Sequence, residues 1–261
     1  MLQLRLGLHL PSLGLPLNKG LIVAARLGAQ AVEIDARGEI KPRDLTRTGV
    51  RHVRKLLEDT NLRICAVQFR TRRGYDDAED LDRRIEATKE AMKMAYDLGA
   101  PIVVNHIGRP PEPPEGPKWQ TMIEALTDIG RYGQKIGATL CARTGSESGE
   151  DLQRLVAELP LGSLGIDFDP GGLIVNGHSP SAAMDLLAPN VMHLRARDGV
   201  RDVSQGRGLA TQLGRGSADF PYLLSKLEEF EYRGYVTFEK SHSADAEQEI
   251  SDAIAYMRSF W

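Results

Sequence analysis

The stretch DLDRRIEATKEAMKMAYDLGAPIVVNH, residues 80–106, decides the fold. Its first two-thirds place Leu81, Ile85, Met92 and Ala95 on one face of a helix, with charged residues between them. Gly99 follows, where the left-handed conformation open to glycine closes a helix, and then Ile102, Val103 and Val104 read as a strand. The same handover recurs at Leu27-Gly28-Ala29 before AVEID and at Ile136-Gly137-Ala138 before TLCAR, and Arg233-Gly234 before YVTFE plays the same part. Amphipathic helices that repeatedly feed apolar strands imply βα units and a parallel sheet.

Working outward on that pattern gives eight strand candidates, at 3–9, 31–35, 63–68, 102–106, 138–143, 163–169, 191–195 and 235–239. The clearest helices are expected over 78–98, 219–230 and 244–258. Eight units in a chain of 261 residues match a single α/β domain over 1–261, a (β/α)8 TIM barrel. An open doubly wound sheet has the same alternation, but no glycine-rich phosphate fingerprint follows the first strand. Two irregular segments should lie over the strand ends: the proline-rich 107–118, and a long Gly/Arg-rich loop at 199–218.

Composition sets the broad class. A hydrophobic content of 41% with 26% charged residues is that of a globular protein, and a net charge of −3 shows no bias toward nucleic acid or acidic membranes. The opening MLQLRLGLHLPSLGLPL carries Arg5 and His9 inside its apolar run, which suits a first strand better than a targeting segment. No run approaches the roughly 18 apolar residues of a membrane helix. Cys65 and Cys141 lie in strand-like runs and read as reduced core thiols, so a cytoplasmic location is expected.

Barrel enzymes place chemistry at the C-terminal ends of their strands. Four such runs end in Arg143 (TLCAR), Asp169 (GIDFD), Arg195 (MHLR) and Glu239 (YVTFE); His9, Glu33 and His106 end the first, second and fourth. A lone strand-end histidine is more often a hydrogen-bonded structural residue than a catalyst, but convergence on one face makes His106 and Glu33 candidates for touching a ligand. Trp119 and Phe69 either line an apolar wall or belong to the core. Arg70, Arg72 and Arg73 follow the third strand, as an anion site or as a solvated basic loop.

AVEIDARGE, LGAPIVVNHIG, LCARTGSES, GIDFDPGG, VMHLRARD, LGRGSADF and GYVTFEK, in this order, resemble the sugar isomerase/epimerase superfamily of xylose-isomerase-like barrels. The resemblance covers nearly the whole chain. It implies a small sugar-like ligand and, in active members, Mn²⁺, Mg²⁺, Co²⁺ or Zn²⁺ held by Glu, Asp, His and Glu. Asp169 and Glu239 match two of those ligands. Arg143 stands where relatives read Leu-x-x-Glu-Thr-Gly, with Thr144 and Gly145 retained. Arg195 takes the second histidine of a His-x-His-x-x-Asp pattern that keeps His193 and Asp198. Gly172 stands where a substrate-contacting histidine is common, and Arg201 matches a basic substrate contact. DNA-repair endonucleases share this barrel, but their sites need several metal-binding His, Asp and Glu residues, and this chain has only six histidines.

The replacements change the expected chemistry. A guanidinium has no lone pair for a cation and stays protonated. The expectation is therefore no metal cofactor, with Arg143, Asp169, Arg195 and Glu239 alternating in charge around the rim. Catalysis, if retained, falls to Glu239, His106 or Glu33, while Arg143, Asp169, Arg195, Arg201 and His9 bind a sugar-like or anionic small molecule. The alternative is a non-catalytic binding or scaffold protein in which the ion pairs replace the metal. The resemblance does not fix substrate, reaction or oligomeric state.

Overall fold

The computed structural model describes residues 4–202, 208–240 and 244–260. Its strands are β1 (Arg5–His9), β2 (Ala31–Asp35), β3 (Arg63–Gln68), β4 (Ile102–Asn105), β5 (Thr139–Arg143), β6 (Gly165–Phe168), β7 (Val191–Ala196), β8 (Asp198–Val200), β9 (Leu209–Thr211) and β10 (Tyr235–Phe238). Eight of them pair in parallel in the order β1-β2-β3-β4-β5-β6-β7-β10, and β10 returns to β1. The barrel is closed, which removes the open-sheet alternative. Each expected strand is present within two residues of its expected ends; residue 3, where the first was expected to begin, lies outside the described residues.

The helices are α1 (Leu17–Arg26), α2 (Arg47–Asp59), α3 (Leu81–Leu98), α4 (Gly116–Ile136), α5 (Gly149–Glu158), α6 (Pro170–Val175), α7 (Pro180–Leu187), α8 (Phe220–Glu229) and α9 (Ala246–Arg258). Gly28, Gly99 and Gly137 have φ of 82°, 80° and 86°, the left-handed turn that ends a helix before β2, β4 and β5. Gly234 is not of that kind. A Cβ there would lie 2.3 Å from the Met192 carbonyl oxygen and 2.4 Å from the Tyr232 hydroxyl, so close approach explains the glycine.

Side chains alternate across each strand. Leu8, Val32, Ile64, Val67, Val103, Leu140, Ile166, Leu194 and Val236 belong to the large apolar cluster formed with the helices. A second, smaller cluster of Ala31, Cys65, Ala66, Ile102, Val104, Cys141 and Tyr235 comes from the intervening positions of the strands. Both cysteines are free and buried, and burial, with Glu33 adding to it, pushes the Cys65 thiol up to about 12.

The segment 199–218, expected to lack structure of its own, contains an antiparallel ribbon of β8 and β9. The cause is Asp198. Its buried carboxylate accepts the backbone N–H groups of Gly199, Gly214, Gly216 and Ala218 at 2.8–3.1 Å, pinning both ends of the excursion to the barrel. Residues 203–207 of that segment lie outside the described residues.

Candidate functional site at the barrel mouth

The period of two that builds the barrel also builds its mouth. Arg143 ends β5, Asp167 and Asp169 belong to and follow β6, Arg195 and Arg197 lie at the end of β7, and Glu239 follows β10. All except Glu239 and Arg197 are buried, and Arg195 is fully so. Arg143 donates from Nε and Nη2 to Asp169 Oδ2, at 3.0 and 2.8 Å, and from Nη2 to Glu239 Oε2 at 3.0 Å. Arg195 uses all three kinds of nitrogen: Nε to Asp167 Oδ2 at 2.7 Å, Nη1 to Glu239 Oε2 at 3.0 Å, and Nη2 to Glu33 Oε1 at 2.8 Å. Arg197 Nη1 donates to Asp169 Oδ2, whose other oxygen caps α6 at the Gly172 N–H.

This network differs from the expected ring of four. Arg195 meets Glu239 but not Asp169; it turns down to Asp167 and across to Glu33. Arg197, Asp167 and Glu33 join the expected four, so that three guanidinium groups face four carboxyl groups. Asp167 and Arg197 were missed although each stands two residues from a named strand-end group, on the same inward face of its strand.

Below the network, His193 links Asp167 Oδ1, 2.8 Å from Nδ1, to the Thr237 hydroxyl, 2.6 Å from Nε2. These three side chains are sealed from water. They support Arg195 from beneath and are not open to a ligand.

The arginines fix the ionisation of the acids. Burial opposes charge on Glu239, but Arg143 and Arg195 outweigh it and hold the carboxyl far below the usual range. Asp167 and Asp169 are depressed in the same way, by Arg195 and His193 and by Arg197 and Arg143 respectively. In return Asp167, Glu33 and Glu239 overcome the burial of Arg195 and raise its pKa.

The opposite arc, formed by β1 to β3, is differently made. His9 Nδ1 lies 2.8 Å from the Ser12 hydroxyl, while its Nε2 is buried without a partner. Glu33 Oε2 and Gln68 Oε1 are also buried without partners. His9 and Glu33 are register neighbours on β1 and β2, and Gln68 ends β3. Burial lowers the His9 pKa against the pull of Glu33 and Glu239.

The remaining candidates are dispersed. His106, just past β4, reaches water, and partial desolvation together with the nearby Arg143 guanidinium lowers its pKa. Arg201 is exposed and donates to the Gly177 carbonyl at 2.8 Å. Arg70 lies 3.7 Å from Asp35, and Arg73 pairs with Asp77 and Glu79, so two of that basic trio already have acidic neighbours. Phe69 is core and stacks under Arg37 at 4.5 Å, and Trp119 is core as well.

A divalent cation does not suit this donor set. Asp169 Oδ2 and Glu239 Oε2 both accept from Arg143 Nη2, so a fixed positive charge already lies between these two carboxylates. Among the described residues no group of three or more His, Cys, Asp or Glu is placed to hold a metal ion.

A family profile described as "Xylose isomerase-like TIM barrel" matches residues 21–260, and the chain belongs to that family. Rhizopine catabolism protein MocC of Rhizobium meliloti is 28% identical over 189 residues, which cover 61% of this chain and 58% of that protein. The chain thus spans under two-thirds of that relative. An inosose dehydratase of Clostridium beijerinckii is 21% identical over 234 residues, covering 78% of this chain and 76% of the enzyme. A solved structure of a xylose isomerase domain protein from Planctomyces limnophilus superposes with a TM-score of 0.84 at 22% identity, covering 98% of this chain and 95% of that one, which establishes likeness of fold. Among the described residues no helix is long and apolar enough to cross a membrane.

Proposed function

We propose that this chain is one sugar isomerase/epimerase-like barrel that binds a small sugar-derived molecule at its C-terminal mouth without a divalent metal. The observation that carries the reading is the position of Glu239 Oε2, 3.0 Å from both Arg143 Nη2 and Arg195 Nη1. Guanidinium groups stand where the cation's charge would be needed. The likeness to an inosose dehydratase supports a sugar-derived ligand.

The same geometry argues for binding over a metal-dependent proton shuttle. A carboxylate held far below its usual pKa is a weak base, which disfavours Glu239, and Glu33 is sealed from water. His106, exposed and with a lowered pKa, is the best placed group for any proton transfer. An anionic ligand finds less than the arginine count suggests, because Arg195 has its Nε, Nη1 and Nη2 engaged with protein carboxylates. That engagement also favours a second reading, a barrel kept as a non-catalytic scaffold.

Metal analysis of the purified chain, paired with thermal shifts, tests the proposal. Less than stoichiometric Mn, Mg, Co and Zn, an unchanged Tm in EDTA and a Tm raised by a sugar-derived compound are expected. About one ion per chain, bound by Asp169 and Glu239, overturns the metal-free reading; no shift from any sugar class leaves the scaffold.

A further inference from the structure

Apart from the arginine–carboxylate network, the loop between β2 and α2 forms one wall of a groove of about 430 Å³ against α1 and α2. Its lining is mostly apolar: Leu17 of α1, Ile40 and Leu45 of the loop, and Val53 and Leu56 of α2. A volume of this size is that of small-molecule sites. Glu39 stands in its wall for a local reason. Pro16 precedes α1 and has no side-chain acceptor, so the first N–H of the helix, at Leu17, donates to Glu39 Oε2 at 2.8 Å. That bond fixes the carboxylate, and its Oε1 has no partner among the described residues. Lys41, Asp44 and His52 belong to the same lining, and their side chains make no hydrogen bond or ion pair among the described residues. A neighbouring groove of about 340 Å³, between Pro42, Leu45 and α3, is charged as well, but there the charges are satisfied within the protein. Lys89 pairs with Glu86 and Asp128 at 2.9 and 2.8 Å, Glu90 with Arg43 at 3.0 Å, and Lys93 with Asp97.

We propose that the groove between α1 and α2 is a second binding site, and that its ligand is an apolar molecule carrying a protonated amine. The hydrocarbon part covers Leu17, Ile40, Val53 and Leu56, and the ammonium donates to Glu39 Oε1. Burying hydrocarbon on these side chains is favourable but does not select among head groups. The charges do. Two carboxylates, Glu39 and Asp44, face the one ammonium of Lys41. An anion meets repulsion from both acids, whereas a cation gains a charge-assisted hydrogen bond. Glu39 is held in place by Leu17 before any ligand arrives, while Lys41 is exposed and ends a flexible four-carbon stem. The acceptor is therefore the preorganised member of the set. This site does not depend on what enters the barrel mouth.

Titration calorimetry of the purified chain at about pH 8 tests this with probes of one shape: 3-phenylpropylamine, 3-phenylpropan-1-ol and 3-phenylpropanoate. The amine is expected to bind about tenfold more tightly than the alcohol or the carboxylate, the difference between a charge-assisted and a neutral hydrogen bond. Glu39→Gln keeps an oxygen for the Leu17 N–H but loses the charge, and weakens the amine about tenfold while leaving the alcohol unchanged. Asp44→Asn, at an exposed position, weakens the amine severalfold and serves in place of Glu39→Gln should that variant fail to fold. Equal affinity for all the probes overturns the proposal, as does tighter binding of the carboxylate. Amine binding unaltered by both substitutions puts the amine elsewhere on the chain and also overturns it. No amine binding at millimolar concentration does the same.

Discussion

The two sides of the barrel mouth handle buried polar groups in opposite ways. From β5 round to β10, Arg143, Arg195 and Arg197 lock Asp167, Asp169 and Glu239 into continuous ion pairs, and among the described residues the one unpartnered buried side-chain atom of this cluster is Arg197 Nε. From β1 to β3, His9, Glu33 and Gln68 each keep a buried atom without a partner. Both sides are built from buried side chains toward the same end of the same barrel. The difference is one of chemistry. Guanidinium groups on the first side satisfy their neighbours internally, while the second offers acceptors and has only Arg195, reaching across to Glu33 Oε1, to meet them.

The largest effect should come from breaking the saturated side at its centre. Arg195→Ala leaves Asp167, Glu33 and Glu239 without their shared cation, and removing one partner of a buried pair costs about 3–5 kcal/mol. Urea unfolding of the variant measures it, and a loss below about 1 kcal/mol shows that water screens the cluster. Arg143→Ala should fall at or below the lower end of the same range, because water reaches its partner Glu239.

Acid should separate the two sides next. Asp167, Asp169 and Glu239 have folded pKa values depressed below their ordinary 3.8 and 4.5, so they add stability that is full above those values and lost as pH falls through the folded ones. His9 and His106 have lowered values, so the unfolded chain takes up protons first and stability starts to fall below about 6.5. A Tm profile should therefore show a shallow decline beginning near pH 6.5 and a steep one below about pH 4. A profile flat down to pH 3 contradicts the ion-pair network.

Smaller still is Glu33→Gln, where the amide oxygen still accepts from Arg195 but without a charge. A loss of about 1 kcal/mol is expected in urea unfolding, the difference between a charge-assisted and a neutral hydrogen bond. A loss as large as that of Arg195→Ala would mean that Glu33 belongs energetically to the saturated side. Gln68→Leu in the unliganded chain should lie within about 0.5 kcal/mol of native or be more stable, since it removes no partner. A clear destabilisation removes the contrast between the two sides.

Much of this was legible in the chain alone. Gly28, Gly99 and Gly137 before apolar runs marked three of the strands, and the βα count closed the barrel on paper, because helix ends and strand alternation are local properties. The same alternation located Arg143, Asp169, Arg195 and Glu239 at strand ends. It also contained Asp167 and Arg197, two residues from named groups, though their neighbours drew the attention. Gln68 carried no signal: a glutamine at a strand end is unremarkable until its surroundings are known. Nor did the sequence distinguish Gly234, which serves close packing, from the helix-ending glycines.

What the sequence determined by itself, then, is the order of elements and which side chains face the barrel axis, since both follow from periodicity within one element. Which cation meets which anion was decided only by tertiary structure. Arg195 lies 162 residues from Glu33 in the chain, yet 2.8 Å separates their charged atoms. Barrel closure through β10 and β1, and the register of the strands around the ring, created that contact. The same closure left Glu33 Oε2, His9 Nε2 and Gln68 Oε1 without partners, because a hydrogen bond depends on distances across the ring that no local pattern encodes.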